Sequence, residues 1–150
     1  MYDVAVIGCG IVGAAAAYEL SRYNCRVLVL EAKNDVANVT TKANSAILHA
    51  GYDPTPGTLM AETNVRGVAL AKELCEKLDV EREEIGSLVL AFGEEDERHL
   101  EKLYQQGLAN GVPGIELLTA DEVHALEPNV SDKVTAALYA PTAAIVSPWE

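Results

Sequence analysis

GCGIVG at residues 8–13 decides the fold. It follows an apolar run, Tyr2–Ile7, that is typical of a buried strand, and it opens a segment of small residues, Ile11–Tyr23, that predicts a helix. A second apolar run, Arg26–Leu30, predicts another buried strand, and Glu31 follows it directly. A strand, a glycine turn, a helix and a strand within about 30 residues predict a βαβ unit with parallel strands.

Each glycine of this turn has a physical reason to be there. Gly8 permits a sharp turn, Gly10 leaves room for a pyrophosphate against the backbone, and Gly13 lets the helix and the strand pack closely. The start of the helix offers free N–H groups and a partial positive charge to phosphates. Glu31 can accept hydrogen bonds from the ribose hydroxyls of an adenosine and would repel a 2′-phosphate. The pattern therefore indicates a dinucleotide site; the alternative is a glycine turn in an α/β protein that binds no nucleotide.

The composition narrows the class of protein. A length of 150 residues fits one ordinary domain, and a hydrophobic share of 49% excludes wholesale disorder. The net charge of −12 argues against nucleic-acid and anionic-membrane partners, which require clustered Lys and Arg. This charge is uneven, because residues 1–66 hold five basic and six acidic groups whereas residues 67–150 hold six basic and seventeen acidic groups. The first part is therefore the more permissive to a phosphate ligand.

The cysteine spacing and the uncharged run near the start of the sequence indicate in which compartment the protein is expected. Cys9, Cys25 and Cys75 have no spacing typical of a disulfide framework or a metal site, so we expect a reducing, cytoplasmic compartment and no bound metal. Cys9 itself is interpreted as a small residue that fits the turn rather than as a reactive thiol. Val4–Tyr18 carries no charge, but it is too short to cross a bilayer and lacks a basic flank, so we expect no transmembrane segment.

The rest of the chain alternates helical and strand patterns after a long loop at residues 32–56. Thr119 and Glu122 form a capping box that opens a short helix ending at Pro128, and Pro148 with Ser147 as its cap predicts a further helix start. The other predicted elements are helices at Gly57–Leu78 and Glu94–Gly111 and strands at Ile85–Phe92, Ile115–Leu118 and Val134–Ala140. In the long helix, steps of three and four predict one shared face, made of Met60, Asn64, Gly67, Ala71, Leu74 and Leu78.

A second motif, residues 40–51, gathers hydroxyls, an amide, an ammonium and an imidazole in the long loop. By itself this stretch is interpreted as a polar surface loop. Together with GCGIVG and Glu31, however, the stretch NSAILHAGY at residues 44–52 resembles the N-terminal part of the D-amino-acid-oxidase-like FAD-dependent oxidoreductases. Within that superfamily the sequence is most similar to FAD-dependent glycerol-3-phosphate dehydrogenases of the anaerobic type, and next to the L-2-hydroxyglutarate dehydrogenases and oxidases. The stretches at residues 85–92, 110–114 and 137–150 extend the resemblance over essentially the whole chain.

The resemblance implies FAD as the cofactor and gives each motif a role. The glycine turn, with Ile11 and Val12, would hold the pyrophosphate, Glu31 and Ala32 the adenosine ribose, and the polar loop the path from the ribitol to the flavin ring. His49 and Gly51 would lie near the isoalloxazine, with His49 as a noncovalent contact or in simple packing rather than as a covalent attachment. The predicted cofactor-binding residues are Gly8, Gly10, Ile11, Val12, Gly13, Glu31, Ala32, Thr40, Thr41, Lys42, Asn44, Ser45, His49 and Gly51.

The resemblance also implies an α/β fold divided between two domains. We expect a Rossmann-like FAD-binding βαβ part at residues 1–82, part of a mixed α+β substrate domain at residues 83–145, and the start of the return to the FAD-binding domain at residues 146–150. In this family the groups that bind substrate and abstract a proton mostly follow that return. The sequence is therefore expected to be the N-terminal segment of a larger enzyme, and no catalytic residue is assigned within it.

The implied reaction is the oxidation of a secondary alcohol with hydride transfer to flavin, most like the conversion of glycerol 3-phosphate to dihydroxyacetone phosphate. The implied partners are a small-molecule substrate and an electron acceptor that is a quinone, an iron–sulfur partner or oxygen, with peripheral membrane association of the whole protein left open. Alternatives are an L-2-hydroxyglutarate or amino-acid or amine oxidase of the same superfamily and a non-catalytic dinucleotide-binding fragment. An NAD-binding Rossmann domain is disfavoured by the long loop after Glu31, because an ordinary Rossmann fold returns quickly to a third strand.

Overall fold

The computed structural model describes residues 1–149 and divides them into two compact units. The first comprises residues 1–45 with Trp149, and the second comprises residues 46–148. The predicted α/β class is confirmed, because the first unit pairs parallel strands through a helix and the second combines helices with antiparallel sheets. This division follows contacts within the chain; the predicted domain boundaries at residues 82 and 145 stay predictions.

The first unit is the βαβ segment that GCGIVG predicts. Strand β1 (Val4–Ile7) and strand β2 (Val27–Leu30) pair in parallel along all four residues, and helix α1 (Ile11–Leu20) connects them. The helix ends three residues before the predicted Tyr23 because the backbone N–H groups that follow close into tight turns on its last residues. The sequence pattern thus places the glycine turn between the end of a strand and the start of a helix, as expected.

The second unit contains two three-stranded antiparallel sheets, ordered β3-β8-β4 and β5-β7-β6. Its elements in chain order are β3 (Ile47–Leu48), α2 (Leu59–Leu78), β4 (Arg82–Glu83), β5 (Ser87–Ala91), α3 (Glu94–Asn110), β6 (Glu116–Thr119), α4 (Ala120–Leu126), β7 (Ala136–Ala140) and β8 (Ala144–Val146). Alternate residues of β7 serve opposite faces of its sheet, so Leu138 packs with Leu100 of α3 whereas Ala137 packs with Val123 of α4. The core of this unit therefore has two apolar layers with β7 between them.

The element boundaries follow local chemistry where a local signal exists. The capping box is confirmed: the Thr119 backbone N–H donates to Glu122 Oε2 at 2.8 Å, and the Glu122 N–H donates to Thr119 Oγ1 at 3.4 Å. The short strands β3, β4 and β8 were not predicted, because two or three residues carry no periodicity and pair only across long sequence distances. At Pro148, where the sequence predicts the start of a helix, the structure has a turn that includes Trp149. Glu150 lies outside the described residues. None of the helices within residues 1–149 has the length and apolarity needed to cross a membrane.

The predicted shared face of α2 is confirmed at Asn64, Ala71 and Leu74 and is wrong for its other three members. Met60, Gly67 and Leu78 are exposed, whereas the side that packs inward is lined by Ala61, Asn64, Val65, Val68, Ala71, Leu74 and Cys75. The reason is tertiary: Val65 of α2 packs against the core that contains Leu100 and Ala50, and this contact fixes the rotation of the helix about its axis. The spacing predicted a helix correctly but could not say which of two overlapping stripes meets the neighbours.

The two glycines inside helices give a matched pair of stability predictions. Alanine at Gly67 adds a methyl group into open space on α2, and should raise the free energy of unfolding by about 0.5–1 kcal/mol because alanine has the higher helix propensity. Alanine at Gly107 on α3 would overlap Ile115 Cδ1 and come within 3.1 Å of Tyr52 Cβ. Overpacking of this kind should lower the free energy of unfolding by about 1–3 kcal/mol. Urea denaturation of both variants tests this; a stabilised Gly107→Ala would contradict the described packing.

Candidate cofactor-binding site

The glycine turn of the first unit needs glycine for two different reasons, a positive φ at Gly8 and a close backbone approach at Gly13. Gly8 has a φ of +94°, in the left-handed region, and its N–H donates to the Leu30 carbonyl at 2.7 Å. A Cβ on Gly13 would overlap the Gly8 carbonyl oxygen and lie 3.4 Å from Val6 Cγ1. Helix α1 therefore begins in direct backbone contact with the end of β1, which is the close packing that the sequence predicts for Gly13.

The N-terminus of α1 is chemically suited to an anion. Gly10 is the residue before the first turn and offers no side-chain cap, and no acidic residue lies in that turn. The Ile11 N–H donates to Thr41 Oγ1 at 3.1 Å, and a Cβ on Gly10 would lie 3.1 Å from the same oxygen. The Thr41 hydroxyl keeps its own proton as a donor. This end of the helix thus combines backbone donors, a hydroxyl and a surface free of side-chain bulk.

Glu31 ties the end of β2 to the glycine turn. Its Oε2 accepts the Cys9 N–H at 2.8 Å, and its Oε1 accepts the Lys33 N–H at 2.9 Å. These two bonds, of which the one from Cys9 has the larger effect, lower the pKa of the Glu31 carboxyl below its ordinary value. A carboxylate has about four lone-pair sites, so each oxygen retains capacity for one further donor such as a ribose hydroxyl.

The polar loop after Glu31 folds back on the glycine turn. The Ala37 N–H donates to the Cys9 carbonyl at 2.9 Å. The Asn44 amide donates to the carbonyls of Thr40 at 3.0 Å and Thr41 at 2.7 Å, which draws the segment into a compact turn. Its structure therefore keeps the Thr41 hydroxyl beside α1.

Lys42 is engaged inside the first unit. Its ammonium lies 3.0 Å from Asp35 Oδ2, and this contact lowers the pKa of the Asp35 carboxyl. The sequence assigned Lys42 to the cofactor path without a partner. Because the two charges offset each other, the loop carries little net charge at this point. Its donors to a ligand there are therefore mainly hydroxyl and backbone N–H groups.

His49 and Gly51, the last two predicted site residues, belong to the second unit. They line a cleft of about 170 Å³ together with Tyr52, Asp53, Pro54, Met60 and Asn64. His49 is exposed, and Gly51 is buried with a φ of +104°. The Asn64 Oδ1 atom is buried without a hydrogen-bond partner among the described residues. The spacing of Met60 and Asn64 predicted that they share one face of α2, but no signal in the sequence related that face to His49.

The predicted site residues therefore fall into two groups. All except His49 and Gly51 lie in the first unit, around the glycine turn, the end of β2 and the loop that follows it. Within that group, Ile11 and Val12 are exposed at the start of α1, and Ala32, Thr40 and Ser45 are exposed along the loop. These positions are open to a ligand.

Known proteins share both sequence and fold with this chain. The model of the DAO family, described as FAD dependent oxidoreductase, matches residues 3–150. A glycerol 3-phosphate dehydrogenase of Caloramator mitchellensis is 51% identical over 150 residues, which is 100% of this chain and 31% of that protein. A mitochondrial L-2-hydroxyglutarate dehydrogenase of Dictyostelium discoideum is 34% identical over 97% of this chain and 33% of its own length.

The same likeness extends to a solved structure with its cofactor. The dithionite-reduced L-alpha-glycerophosphate oxidase of Mycoplasma pneumoniae, with FAD bound, superposes with a TM-score of 0.89 at 34% identity and covers 98% of this chain and 39% of that one. The chain spans about a third of the length of the curated relatives it matches. Because the family model covers nearly every residue and the fold agrees, the chain belongs to the DAO family of FAD-dependent oxidoreductases.

Proposed function

We propose that this chain supplies the nucleotide-binding part of an FAD-dependent dehydrogenase, and that the cradle at the start of α1 holds the pyrophosphate of FAD. The observation that carries the proposal is the approach of Gly13 to the Gly8 carbonyl, which starts α1 directly beside the end of β1, at a turn where Gly10 adds no side chain. The Val12 backbone N–H and the Thr41 hydroxyl, which itself accepts the Ile11 N–H, supply donors, and no carboxylate in the first turn of α1 opposes a phosphate.

The other predicted residues have matching tasks in this proposal. Glu31, with Ala32, accepts the hydroxyls of the adenosine ribose while it continues to hold the Cys9 N–H. The loop residues Thr40, Lys42, Asn44 and Ser45 line the path from the ribitol toward the flavin. In the second unit, His49 and Gly51 border the cleft that would face the isoalloxazine. FAD, when bound, supplies hydride acceptance, and the chain's own residues supply binding and orientation.

The whole protein is proposed to oxidise a secondary alcohol, with glycerol 3-phosphate as the substrate and dihydroxyacetone phosphate as the product. The relative named glycerol 3-phosphate dehydrogenase, at 51% identity, favours this substrate over L-2-hydroxyglutarate, whose named dehydrogenase is 34% identical. Oxidation of an amino acid or amine by a relative of the same superfamily is the wider alternative. A fragment that binds FAD without catalysis is the alternative for the chain alone.

Two further parts of the proposal rest on the sequence. A cytoplasmic location is proposed because the three cysteines lack disulfide spacing, and all three are free thiols in the structure. The electron acceptor is proposed to be a quinone, an iron–sulfur partner or oxygen, and the whole protein's association with a membrane surface stays open. Oxygen consumption and the reduction of an added quinone, both measured on the purified flavoprotein, distinguish oxygen from a quinone as the acceptor.

The substrate is tested on the full-length polypeptide that carries this chain. We expect a bound-flavin absorbance spectrum that is bleached anaerobically by glycerol 3-phosphate and not by L-2-hydroxyglutarate, because the relative named for the former is the more similar in sequence. Stopped-flow absorbance measures both reactions. Bleaching by L-2-hydroxyglutarate alone would transfer the proposal to that substrate, and a protein that purifies without flavin and binds NAD tightly would contradict the function.

Valine at Gly10 tests the cradle. The branched side chain would project against Thr41 Oγ1, already only 3.1 Å from the position of a Cβ, and into the space assigned to the pyrophosphate. We expect Gly10→Val to purify without stoichiometric flavin and Gly67→Val, the same change at a position on α2 where a Cβ meets nothing within 4 Å, to retain it. Flavin content is read from absorbance after denaturation. Full flavin occupancy in Gly10→Val would refute the role given to this turn.

Glutamine at Glu31 tests the carboxylate in two ways. It keeps the size of the side chain but presents an N–H₂ group to one of the two N–H donors, so we expect about tenfold or greater loss of FAD affinity in a fluorescence titration.

The lowered pKa of Glu31 also gives a sign for stability: its contribution is complete above the unfolded value near 4.5 and is lost as the pH falls through the lower folded value. The unfolding midpoint of Glu31→Gln should therefore differ from the parent more at neutral pH than in acid.

The control for this prediction is Glu76→Gln, which changes an exposed carboxylate in the last turn of α2. It should leave FAD affinity unchanged. A difference in unfolding midpoint between Glu31→Gln and the parent that stays constant from neutral to acidic pH would show that the charge of the carboxylate contributes nothing to stability.

A further inference from the structure

The loop at residues 51–54 is held by side chains of a helix more than fifty residues away in the sequence. The Asn110 amide donates to the Gly51 carbonyl at 2.9 Å and to the Pro54 carbonyl at 2.8 Å. The Gln106 amide donates to the Asp53 carbonyl at 3.1 Å and to the Tyr52 carbonyl at 3.4 Å. Two amide groups thus bind four successive backbone carbonyls, and we name this pair of side chains, Gln106 and Asn110, the amide clamp.

The clamp follows from the geometry of α3. Its two members are four residues apart, so they lie on one face of the helix, and both are half-buried. Gly107 lies on the same side, and a Cβ there would come within 3.1 Å of Tyr52 Cβ, so the helix backbone approaches the loop closely only because this position lacks a side chain. Short amide side chains can then reach the carbonyls directly.

The loop that the clamp holds is also fixed from its other side. A Cβ on Gly51 would lie 2.6 Å from Val65 Cγ2 and 3.2 Å from Asn64 Oδ1, both on α2. The loop backbone is therefore confined between α2 and α3, with its carbonyls turned toward α3. It begins two residues after His49 and forms one wall of the cleft that His49, Met60 and Asn64 line.

We infer that Gln106 and Asn110 are positioning residues: by binding the carbonyls of residues 51–54 they set the cleft wall beside His49 in the geometry that the flavin reaction requires. This inference rests on the proposed function, since it assigns a purpose to the cleft that borders the flavin there. The clamp touches neither the substrate nor the cofactor in this assignment. It acts through the loop, and a shift of about 1 Å in such a wall is enough to cost a large factor in rate.

The functional test uses the full-length flavoprotein. Asn110→Asp keeps the shape of the side chain but replaces the donating N–H₂ by an oxygen that faces two carbonyls, and Gln106→Ala removes the second donor. We expect each to retain stoichiometric FAD and to slow flavin reduction by glycerol 3-phosphate about tenfold, in kcat rather than in KM, at a temperature well below unfolding. The matched control is Gln105→Ala, whose amide lies on the exposed side of α3 and binds Glu101.

A second measurement, independent of FAD and of activity, follows the loop itself. In the 150-residue chain, the amide ¹H–¹⁵N shifts of Gly51 and Asp53 should move in Asn110→Asp and Gln106→Ala and stay in place in Gln105→Ala. Unmoved loop shifts would overturn the clamp, and moved shifts with an unchanged rate of flavin reduction would overturn its positioning role. A parent flavin that glycerol 3-phosphate does not reduce would instead contradict the proposed function, while the shifts still report on the clamp.

Discussion

The contact between Gly13 and the Gly8 carbonyl is the constraint on which the first unit depends. It brings the start of α1 against the end of β1 without any intervening side chain, and a methyl group at Gly13 would force the two apart. At the N-terminus of that helix Gly10 adds no side chain and the first turn has no acidic residue, so the Val12 N–H stays available to a ligand. The glycines of this turn therefore serve both the packing and the proposed anion site.

Two further ties convert this turn into a shaped site. Glu31 accepts the Cys9 N–H from the end of β2, and Thr41 accepts the Ile11 N–H from the loop that follows. Both are acceptors that satisfy backbone donors of the turn while keeping capacity for a ligand, the carboxylate as an acceptor and the hydroxyl as a donor. In the second unit the amide clamp plays a similar role, since it satisfies the carbonyls of the loop that forms the cleft wall beside His49.

Much of the fold and part of the site could be predicted from sequence because they depend on local signals. The glycine spacing, the apolar runs around it and the Thr119 capping box each act within a few residues, and their elements were found with ends shifted by one to three positions. The strands β3, β4 and β8 were missed because their pairing joins segments up to a hundred residues apart. The face of α2 was predicted only in part because Val65, rather than Met60, meets the core.

By itself, the sequence determined that a parallel βαβ unit carries a glycine turn followed by an acidic residue, and it showed the resemblance to FAD-dependent oxidoreductases. Steric freedom at glycine and hydrophobic periodicity are properties of neighbouring residues, so they can be read without a structure. The tertiary structure alone decided that Glu31 holds Cys9, that Lys42 is paired with Asp35, and that Gln106 and Asn110 bind the loop beside His49. Hydrogen bonds between distant segments depend on how the whole chain packs, and no spacing in the sequence encodes them.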